Sequence, residues 1–396
     1  MRIAFVAESL VPQGGTEKML TEKANYLSAH FGYDVTVIAC TQRSGQCNAF
    51  PLSPAVRQLN LGVAYYRQYR YGYPRRLWIK RETDKALKAA IAGAIRQTDP
   101  DVVVCTVGFR ADLVSTVGCR GKIVAECHEP RMFVMADLDG RRSWPSRLYM
   151  DLYQRAKYFR TIERNVDAVV TLTEGDKRLW SKARRVEVIP NFSTMPVARR
   201  SDCSKKRIIA VGRLSAEKGY DRLVEVWRRL SPHYPEWSLD VFGDGRLRDE
   251  LAATIQDMPL GNMSLRPATS RISEEYADSS IFVMTSRHEG FGLVLLEAMK
   301  HGLPSVAFDC PFGPGSIISD GVCGYLAADG DIPLFAEKLR LLMESEDTRR
   351  TFSAAAIARA NDFSPDAVMK QWKQLFENLT ETIQNLTGTC PKLAPN

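Results

Sequence analysis

The chain alternates short apolar runs, rich in β-branched residues, with stretches long enough for a helix, and it does so in two series. The first series lies at 2–8, 34–40, 101–107, 122–129 and 167–173, and ends at 186–192. The second series lies at 207–213, 239–245, 263–267, 281–286 and 304–309. Strands of a parallel sheet covered on both faces are continuously apolar, and helices connect them. The alternation therefore predicts an α/β protein with two Rossmann-like domains.

The length of 396 residues also favours two hydrophobic cores over one. The polar and basic segment 195–206 separates the two series and is the predicted linker. We expect one domain at 1–192 and a second at 193–364. The remaining segment, 365–396, begins with apolar residues at a 3–4 spacing, which predicts a terminal helix docked on a core.

A glycine pair marks the point where the run 281–286 turns into a predicted helix at 293–302. Gly290 and Gly292 would let the backbone approach a ligand, and the first N–H groups of a helix attract polar or anionic groups. A plain tight turn is the alternative interpretation. The pattern predicts a ligand site at the start of the helix.

Two carboxylates flank this turn. Glu289 precedes the helix, and Glu297 is embedded in the apolar sequence LVLLEAM. A buried carboxylate needs partners, and a carboxylate accepts hydrogen bonds from hydroxyls, which sugars and riboses carry. A solvated pair of acids is the alternative. The spacing allows both carboxylates to flank one ligand.

With Gly302-Leu303-Pro304 downstream, this pattern resembles the signature of retaining glycosyltransferases of the GT-B fold, family 4. The resemblance implies two domains facing across a cleft, with the terminal helix crossing back to the first domain. It also implies that Glu289 is catalytic at the donor sugar and that Glu297 holds the nucleotide ribose. The loop residues implied to contact the donor are Gly290, Phe291, Gly292 and Leu293.

Two cations follow the run 207–213. Arg213 and Lys218 lie on the predicted loop before the next helix, where a solvated surface pair is the alternative. The resemblance implies that both bind the donor diphosphate and stabilise it as a leaving group. Fixed cations can replace a metal ion in this role. Since no D-x-D follows a strand, we expect no metal and no cofactor beyond the nucleotide diphosphate sugar as co-substrate.

The first half carries two further motifs at strand ends. Gly14, Gly15 and Glu17 match the family pattern G-G-x-E, whereas a dinucleotide fingerprint is absent from the sequence. The resemblance places the glycines at the donor phosphate and Glu17 towards the acceptor. A simple turn is the alternative.

The second of these motifs is AECHEPR at 125–131. By resemblance His128 is assigned a catalytic role at the donor sugar, and Glu129 and Arg131 are assigned to the acceptor. A lone histidine is otherwise more often structural. One departure lies in the second half, where Gly315-Ser316 stands at a position that is commonly acidic in the family.

Charge is uneven along the chain. Residues 1–190 contain 30 Lys and Arg against 19 Asp and Glu, whereas the rest contains 24 against 27. Within 65–88, eight basic residues face two acids among tyrosines and Trp78, and 141–160 is similar. Such segments bind nucleic acid, lie on an anionic membrane, or form a solvated helix face. Given the resemblance, we interpret them as a membrane contact.

The start of the chain, MRIAFVAESL, lacks a signal-peptide core, and no apolar run reaches the length of a membrane span. The nine cysteines show no metal-ligand spacing, which favours reduced thiols. We therefore expect a cytoplasmic protein, peripheral on the inner face of the plasma membrane.

The resemblance implies transfer of a hexose or N-acetylhexosamine, with retention, from a nucleotide diphosphate sugar to a glycan acceptor. A UDP-sugar donor and a polyprenyl-diphosphate-linked acceptor are favoured, in cell-surface polysaccharide biosynthesis such as lipopolysaccharide or capsule. One alternative is a GT-B epimerase acting on the nucleotide sugar itself. The other is a nucleic-acid-binding protein, which would leave Glu289, Glu297, Arg213 and Lys218 unexplained; we expect no nucleic acid.

Overall fold

The structure is a computed structural model that describes residues 1–72, 75–134, 155–256 and 262–387, with side chains to residue 381. Its contacts divide the chain into two compact units. The first unit comprises Met1–Leu172, Asp176–Ile189 and the chain from Met369 onward. The second unit comprises Thr173–Gly175 and Pro190–Val368. The chain enters the main part of the second unit at Pro190 and returns to the first unit at Met369. The domain bounds expected from the sequence, 1–192 and 193–364, stay a prediction.

The first unit is built on a seven-stranded parallel sheet of order β3-β2-β1-β4-β5-β6-β7. Its strands are β1 (Arg2–Ala7), β2 (Asp34–Ala39), β3 (Arg57–Asn60), β4 (Val102–Thr106), β5 (Lys122–Glu126), β6 (Ala168–Thr171) and β7 (Val186–Val188). The helices before the second unit are α1 (Gly15–Phe31), α2 (Arg75–Thr98), α3 (Ala111–Val114), α4 (Ala156–Asn165) and α5 (Glu174–Lys177).

The second unit is built on a six-stranded parallel sheet of order β10-β9-β8-β11-β12-β13. Its strands are β8 (Arg207–Val211), β9 (Ser238–Phe242), β10 (Met263–Arg266), β11 (Ile281–Met284), β12 (Ser305–Asp309) and β13 (Gly324–Ala328). Its helices are α6 (Tyr220–Leu230), α7 (Arg248–Gln256), α8 (Ile272–Ala277), α9 (Leu293–Lys300), α10 (Ile332–Glu344) and α11 (Glu346–Asn361).

Two parallel sheets with helices between their strands confirm the predicted α/β class. Each unit has its own core, centred on residues such as Val103 and Ile91 in the first and Trp227 and Phe335 in the second. The apolar runs did not predict β3 and β13. The strand β3 has the sequence RQLN and lies partly exposed at a sheet edge, so it carries no apolar run.

The last helix, α12 (Pro365–Thr387), belongs to the first unit from Met369 onward. Its predicted apolar stripe is buried at Val368, Trp372, Leu375, Phe376 and Leu379. The Nζ atom of Lys23 in α1 lies 5.0 Å from the centre of the Trp372 ring. The side chains of Ile383 and Leu386, and the chain from 388 to 396, lie outside the described residues.

The predicted linker contains no helix or strand between 190 and 206. It is fixed to the second unit, because Lys300 Nζ donates to the carbonyl oxygens of Ser193 (2.7 Å) and Met195 (2.9 Å). In each parallel sheet the carboxyl ends of the strands meet at one edge, where ligands of open α/β folds bind. The predicted site residues follow β1 and β5 in the first unit and β8 and β11 in the second.

Candidate active site

In the second unit, the loops after β8 and β11 lie against each other. Gly219 has φ of +63°, and a Cβ atom there would overlap the carbonyl oxygen of Thr285. The backbone N–H of Arg287 donates to the carbonyl of Glu217 at 2.8 Å. Only glycine adopts this backbone conformation easily at such close approach. The two loops therefore form one continuous surface at the carboxyl edge of the sheet.

This surface brings Lys218 and Glu289 into direct contact. Lys218 Nζ donates to Glu289 Oε1 at 2.6 Å, and Ser286 Oγ donates to the same oxygen at 2.7 Å. The side chain of Glu289 is 9% exposed and that of Lys218 is 24% exposed. The resemblance assigned Glu289 to the sugar and Lys218 to the diphosphate. In the structure the two side chains are in direct contact.

The neighbours of Glu289 are held neutral. Burial, followed by the charge of Glu289, raises the pKa of Cys310 to about 12. Burial, followed by the charge of Glu289, also raises the pKa of the Tyr220 phenol. Burial lowers the pKa of His288. At neutral pH these three groups therefore add no charge beside the pair of Lys218 and Glu289.

Arg213 lies on the same loop as Lys218. Its backbone carbonyl accepts a hydrogen bond from the N–H of Ser215 at 2.9 Å, while the residue as a whole is exposed to solvent. An exposed guanidinium at a strand end is accessible to an anionic ligand. The Arg213 side chain is therefore accessible for the predicted contact with the diphosphate.

The helix α9 begins where the sequence predicted. Gly292 precedes it with φ of +100°, and Gly290 lies in the turn before it. Phe291 is buried and packs edge-on against Phe363, with ring centres 5.5 Å apart. Leu295 and Leu296 donate their backbone N–H groups to the Gly292 carbonyl, and the aligned peptide dipoles of the helix give this end a partial positive charge.

Glu297 is 5% exposed, so its carboxylate is not a solvated surface group. Burial, followed by the charge of Glu297, raises the pKa of the nearby Tyr276 phenol. The backbone carbonyl of Glu297 lies 2.7 Å from Nδ1 of His301, which fixes the end of the helix. The structure thus holds Glu297 rigidly on the helix that Gly290 and Gly292 introduce.

The first unit contains the other predicted motif residues. The helix α1 begins at Gly15 with Gly14 as its N-cap, and the Glu17 carboxylate folds over Gly14, where a Cβ atom would overlap it. His128 and Glu129 follow β5, and Glu129 is exposed. Both segments lie at the carboxyl edge of the first sheet.

Arg131 is engaged within the first unit. Its Nη1 atom donates to Glu163 Oε1 at 2.5 Å, and its guanidinium lies 4.5 Å from the centre of the Phe159 ring and 4.7 Å from that of Trp180. The predicted contact of Arg131 with the acceptor would have to compete with these partners.

A buried ion pair beside His128 was not predicted from the sequence. Lys23 Nζ donates to Glu126 Oε1, and each side chain is only 2% exposed. His128 Nε2 lies 3.5 Å from Glu126 Oε2, and its side chain is 7% exposed. Two features of the sequence could have indicated this pair: Lys23 lies on the apolar face of α1, and Glu126 lies inside an apolar run.

The glycine at the commonly acidic position has a local explanation. A Cβ atom at Gly315 would lie 2.6 Å from Asp309 Oδ1. An acidic side chain at position 315 would therefore lie in close contact with the carboxylate of Asp309. Among the described residues, no three His, Cys, Asp or Glu side chains cluster as metal ligands would. Metal independence stays a prediction.

Comparison with known families identifies the class of protein. Residues 13–192 match the model of Glycosyltransferase Family 4, and residues 193–359 match that of Glycosyl transferases group 1. The chain belongs to these glycosyltransferases, which confirms the family that the motifs indicated.

Among relatives, an amylovoran biosynthesis glycosyltransferase, AmsD from Erwinia amylovora, is 34% identical over 221 residues. That match covers 53% of this chain and 62% of AmsD, so the chain spans less than two thirds of this relative.

Among solved structures, TarM of S. aureus, crystallised as a mutant with Fondaparinux, alpha-GlcNAc-glycerol and UDP, has a TM-score of 0.73 at 15% identity. It covers 95% of this chain and 99% of the TarM chain. HepE of Anabaena in complex with UDP has a TM-score of 0.71 at 18% identity, covering 96% of this chain and 100% of the HepE chain. These likenesses confirm the GT-B fold. Neither alternative, the epimerase or the nucleic-acid-binding protein, is favoured by these relatives.

Proposed function

We propose that this protein transfers a hexose or N-acetylhexosamine, with retention of anomeric configuration and without a metal ion, from a nucleotide diphosphate sugar to a glycan acceptor. The observation that carries the proposal is the contact between Lys218 and Glu289 beside the start of α9. A cation, a carboxylate and a helix N-terminus at one point suit a ligand that joins a diphosphate to a sugar.

The donor would be held by complementary groups. The Lys218 ammonium, the exposed Arg213 guanidinium and the first N–H groups of α9 suit the diphosphate. Glu289 suits a sugar hydroxyl, and Glu297 suits the ribose hydroxyls. In the unliganded protein Lys218 and Glu289 neutralise each other. A bound diphosphate would replace Glu289 as the partner of Lys218. The Glu289 carboxylate would then be available to accept hydrogen bonds from the sugar hydroxyls.

The chemistry would follow from these charges. As the bond between the anomeric carbon and the diphosphate oxygen breaks, negative charge grows on the diphosphate, and Lys218 and Arg213 stabilise it. Each preorganised contact of this kind contributes about 2–4 kcal/mol to the transition state. The acceptor hydroxyl attacks from the same face, and its proton passes to the departing diphosphate. This route needs no protein nucleophile and retains the anomeric configuration.

We infer that the nucleotide is UDP and that the product belongs to a cell-surface polysaccharide. UDP is present in the TarM and HepE structures, and AmsD is named for amylovoran biosynthesis. Thermal-shift measurements with UDP-, GDP- and ADP-sugars test the donor, because a ligand that binds only the folded state raises its stability. A rise in Tm with UDP-sugars alone supports the proposal. No rise with any of them would contradict it.

We also infer that the first unit binds the cytoplasmic face of the plasma membrane, where a polyprenyl-diphosphate-linked acceptor would be presented. The described part of 65–88 exposes four large apolar side chains, those of Tyr66, Tyr69, Leu77 and Trp78. Arg75 and Arg76 stack on Tyr71 and Tyr69 at 4.7 and 4.4 Å. Tyr73 and residues 141–154 lie outside the described residues.

The Tyr66 hydroxyl donates to Glu8, which follows β1, so this surface adjoins the carboxyl edge of the first sheet. Basic residues near an anionic surface contribute about 1 kcal/mol each, and the attraction fades within a Debye length of roughly 8–10 Å. Among the described residues, no helix is both long and apolar enough to span a membrane.

The membrane proposal is tested by co-sedimentation with vesicles of varied anionic lipid content. We expect binding that rises with anionic lipid, falls with salt, and weakens when four basic residues become serine: Arg75, Arg76, Lys80 and Arg81. Equal binding to neutral and anionic vesicles would contradict an electrostatic contact.

A further inference from the structure

A bidentate ion pair joins the two loops that carry Lys218 and Glu289. Arg287 lies on the loop after β11, and Asp221 lies in the first turn of α6, which follows the loop after β8. Arg287 Nη1 donates to Asp221 Oδ1 at 2.8 Å, and Arg287 Nη2 donates to Asp221 Oδ2 at 2.5 Å. Two parallel hydrogen bonds between a guanidinium and a carboxylate fix orientation as well as distance. The pair therefore fixes how the two loops lie against each other.

Arg287 also binds the segment in which Lys218 lies. Its Nη1 atom donates to the carbonyl oxygen of Ala216 at 2.7 Å, and its backbone N–H donates to that of Glu217 at 2.8 Å. The nearby Thr285 hydroxyl donates to the carbonyl oxygen of Lys218 at 3.3 Å. The segment itself is a single 3-10 turn without a side-chain cap. Because so short a turn has little stability of its own, its contacts with the loop after β11 set the position of Lys218.

The ion pair is too exposed to act mainly in folding. The Arg287 side chain is 37% exposed and the Asp221 side chain is 59% exposed. Ion pairs at this exposure contribute little to the free energy of unfolding. The hydrogen bonds from Arg287 lower the pKa of Asp221, so this carboxylate is charged at neutral pH. The main effect of the pair is thus local, on the position of the Lys218 ammonium 2.6 Å from Glu289 Oε1.

We propose that Arg287 and Asp221 are positioning residues for the donor diphosphate, and that they hold the Lys218 segment in place before the ligand arrives. This inference rests on the proposed function, since it takes the diphosphate to be the ligand of Lys218. Ordering a long, flexible side chain during binding weakens affinity, whereas a side chain that is already ordered avoids this cost. Without the pair, the Lys218 segment would become ordered only when the ligand binds.

Two variants remove the pair from either side. Arg287→Met removes the guanidinium and keeps an unbranched side chain. Asp221→Asn keeps the size of the side chain and removes its charge, and it replaces Arg287→Met in each test below if that variant does not fold. The matched control is Arg340→Met, because Arg340 Nη1 lies 2.7 Å from Glu344 Oε2 within α10, where the two side chains are 42% and 43% exposed.

Hydrogen exchange of the unliganded protein, followed by mass spectrometry, gives the first readout. The backbone N–H of Lys218 closes the turn by donating to the carbonyl of Ser215. Opening of the turn exposes this group to exchange. In peptides covering 213–220 we expect faster exchange for both variants and wild-type exchange for the control. Unchanged exchange there, or faster exchange throughout the second unit, would overturn the inference whether or not the protein binds a nucleotide.

UDP binding gives the second readout, and it separates a positioning role from a merely structural one. Isothermal titration should show a rise of about 2- to 12-fold in the Kd for UDP in Arg287→Met, the cost of ordering one long side chain. The control should bind UDP as the wild type does. If Arg287 acts through Lys218, the double variant Arg287→Met/Lys218→Met should have the same Kd as Lys218→Met alone.

Two outcomes of this titration would overturn the inference. One is an unchanged Kd in Arg287→Met. The other is a double variant whose Kd rises by the product of the two single factors, because independent effects multiply. If the wild type binds no UDP, the proposed function fails, while the exchange result still decides whether the pair holds the Lys218 segment.

Discussion

Replacing Lys218 by methionine should weaken nucleotide binding more than any change to an exposed lysine of the same unit. Lys218 Nζ lies 2.6 Å from Glu289 Oε1, and three quarters of the lysine side chain is covered, so its charge is poorly screened by water. A hydrogen bond to a charged group contributes about 1.5–3 kcal/mol. Loss of one such bond to the diphosphate corresponds to about a 10- to 150-fold rise in the Kd for UDP.

Isothermal titration of UDP into the wild type and Lys218→Met measures this change. Lys206→Met is the matched control, because Lys206 pairs with Glu236 at 3.2 Å on the surface, where both side chains are about half exposed. Surface pairs of this kind contribute about 0–1 kcal/mol to stability, so the control should bind UDP normally. An unchanged Kd for Lys218→Met, with a native fold, would refute the assignment of the diphosphate to this loop.

Three further predictions concern turnover, metal and stability. Glu289→Gln should bind UDP at least as tightly as the wild type, because Lys218 loses its competing carboxylate, but should lower kcat by about 100- to 1,000-fold, as expected for a preorganised polar group at a reaction centre; an unchanged kcat would remove Glu289 from the chemistry. Transfer activity should persist in EDTA, and complete loss that Mg²⁺ or Mn²⁺ restores would reject the role given to Arg213 and Lys218. Gly219→Ala should lower Tm more than Gly32→Ala, because both glycines have φ near +64° but only Gly219 faces a carbonyl at close range. The backbone conformation alone costs an alanine about 1–2 kcal/mol, and similar Tm values for the two variants would contradict the argument from the Thr285 contact.

Much of the fold could be predicted from the sequence because buried parallel strands consist of continuous runs of apolar residues. The runs at 34–40 and 281–286 contain β2 and β11. The polar edge strand β3 contains no such run, so it was not predicted. The predicted strand ends differ from the observed ones: β5 stops at Glu126, whereas the predicted run continued to 129. His128 therefore lies beyond the strand, in the segment that follows it.

The site was predictable where one loop carries its residues together. Glu289, Gly290 and Gly292 are contiguous, so their pattern was visible in the sequence. The contact between Lys218 and Glu289 was not, because 71 positions separate the two residues and only the packing of Gly219 against Thr285 brings their loops together. The pair of Lys23 and Glu126 was likewise hidden, since their separation of 103 positions is bridged only by the fold.

The anomeric configuration of the first sugar released from a bound UDP-sugar tests the central claim most directly. Proton NMR of the product, recorded before the sugar equilibrates in solution, distinguishes the two anomers. Transfer at the Lys218 and Glu289 site by same-face attack predicts that the product keeps the donor's configuration. A product of opposite configuration would contradict the account, because it would require attack from the far side of the sugar and a protein base that the account does not include.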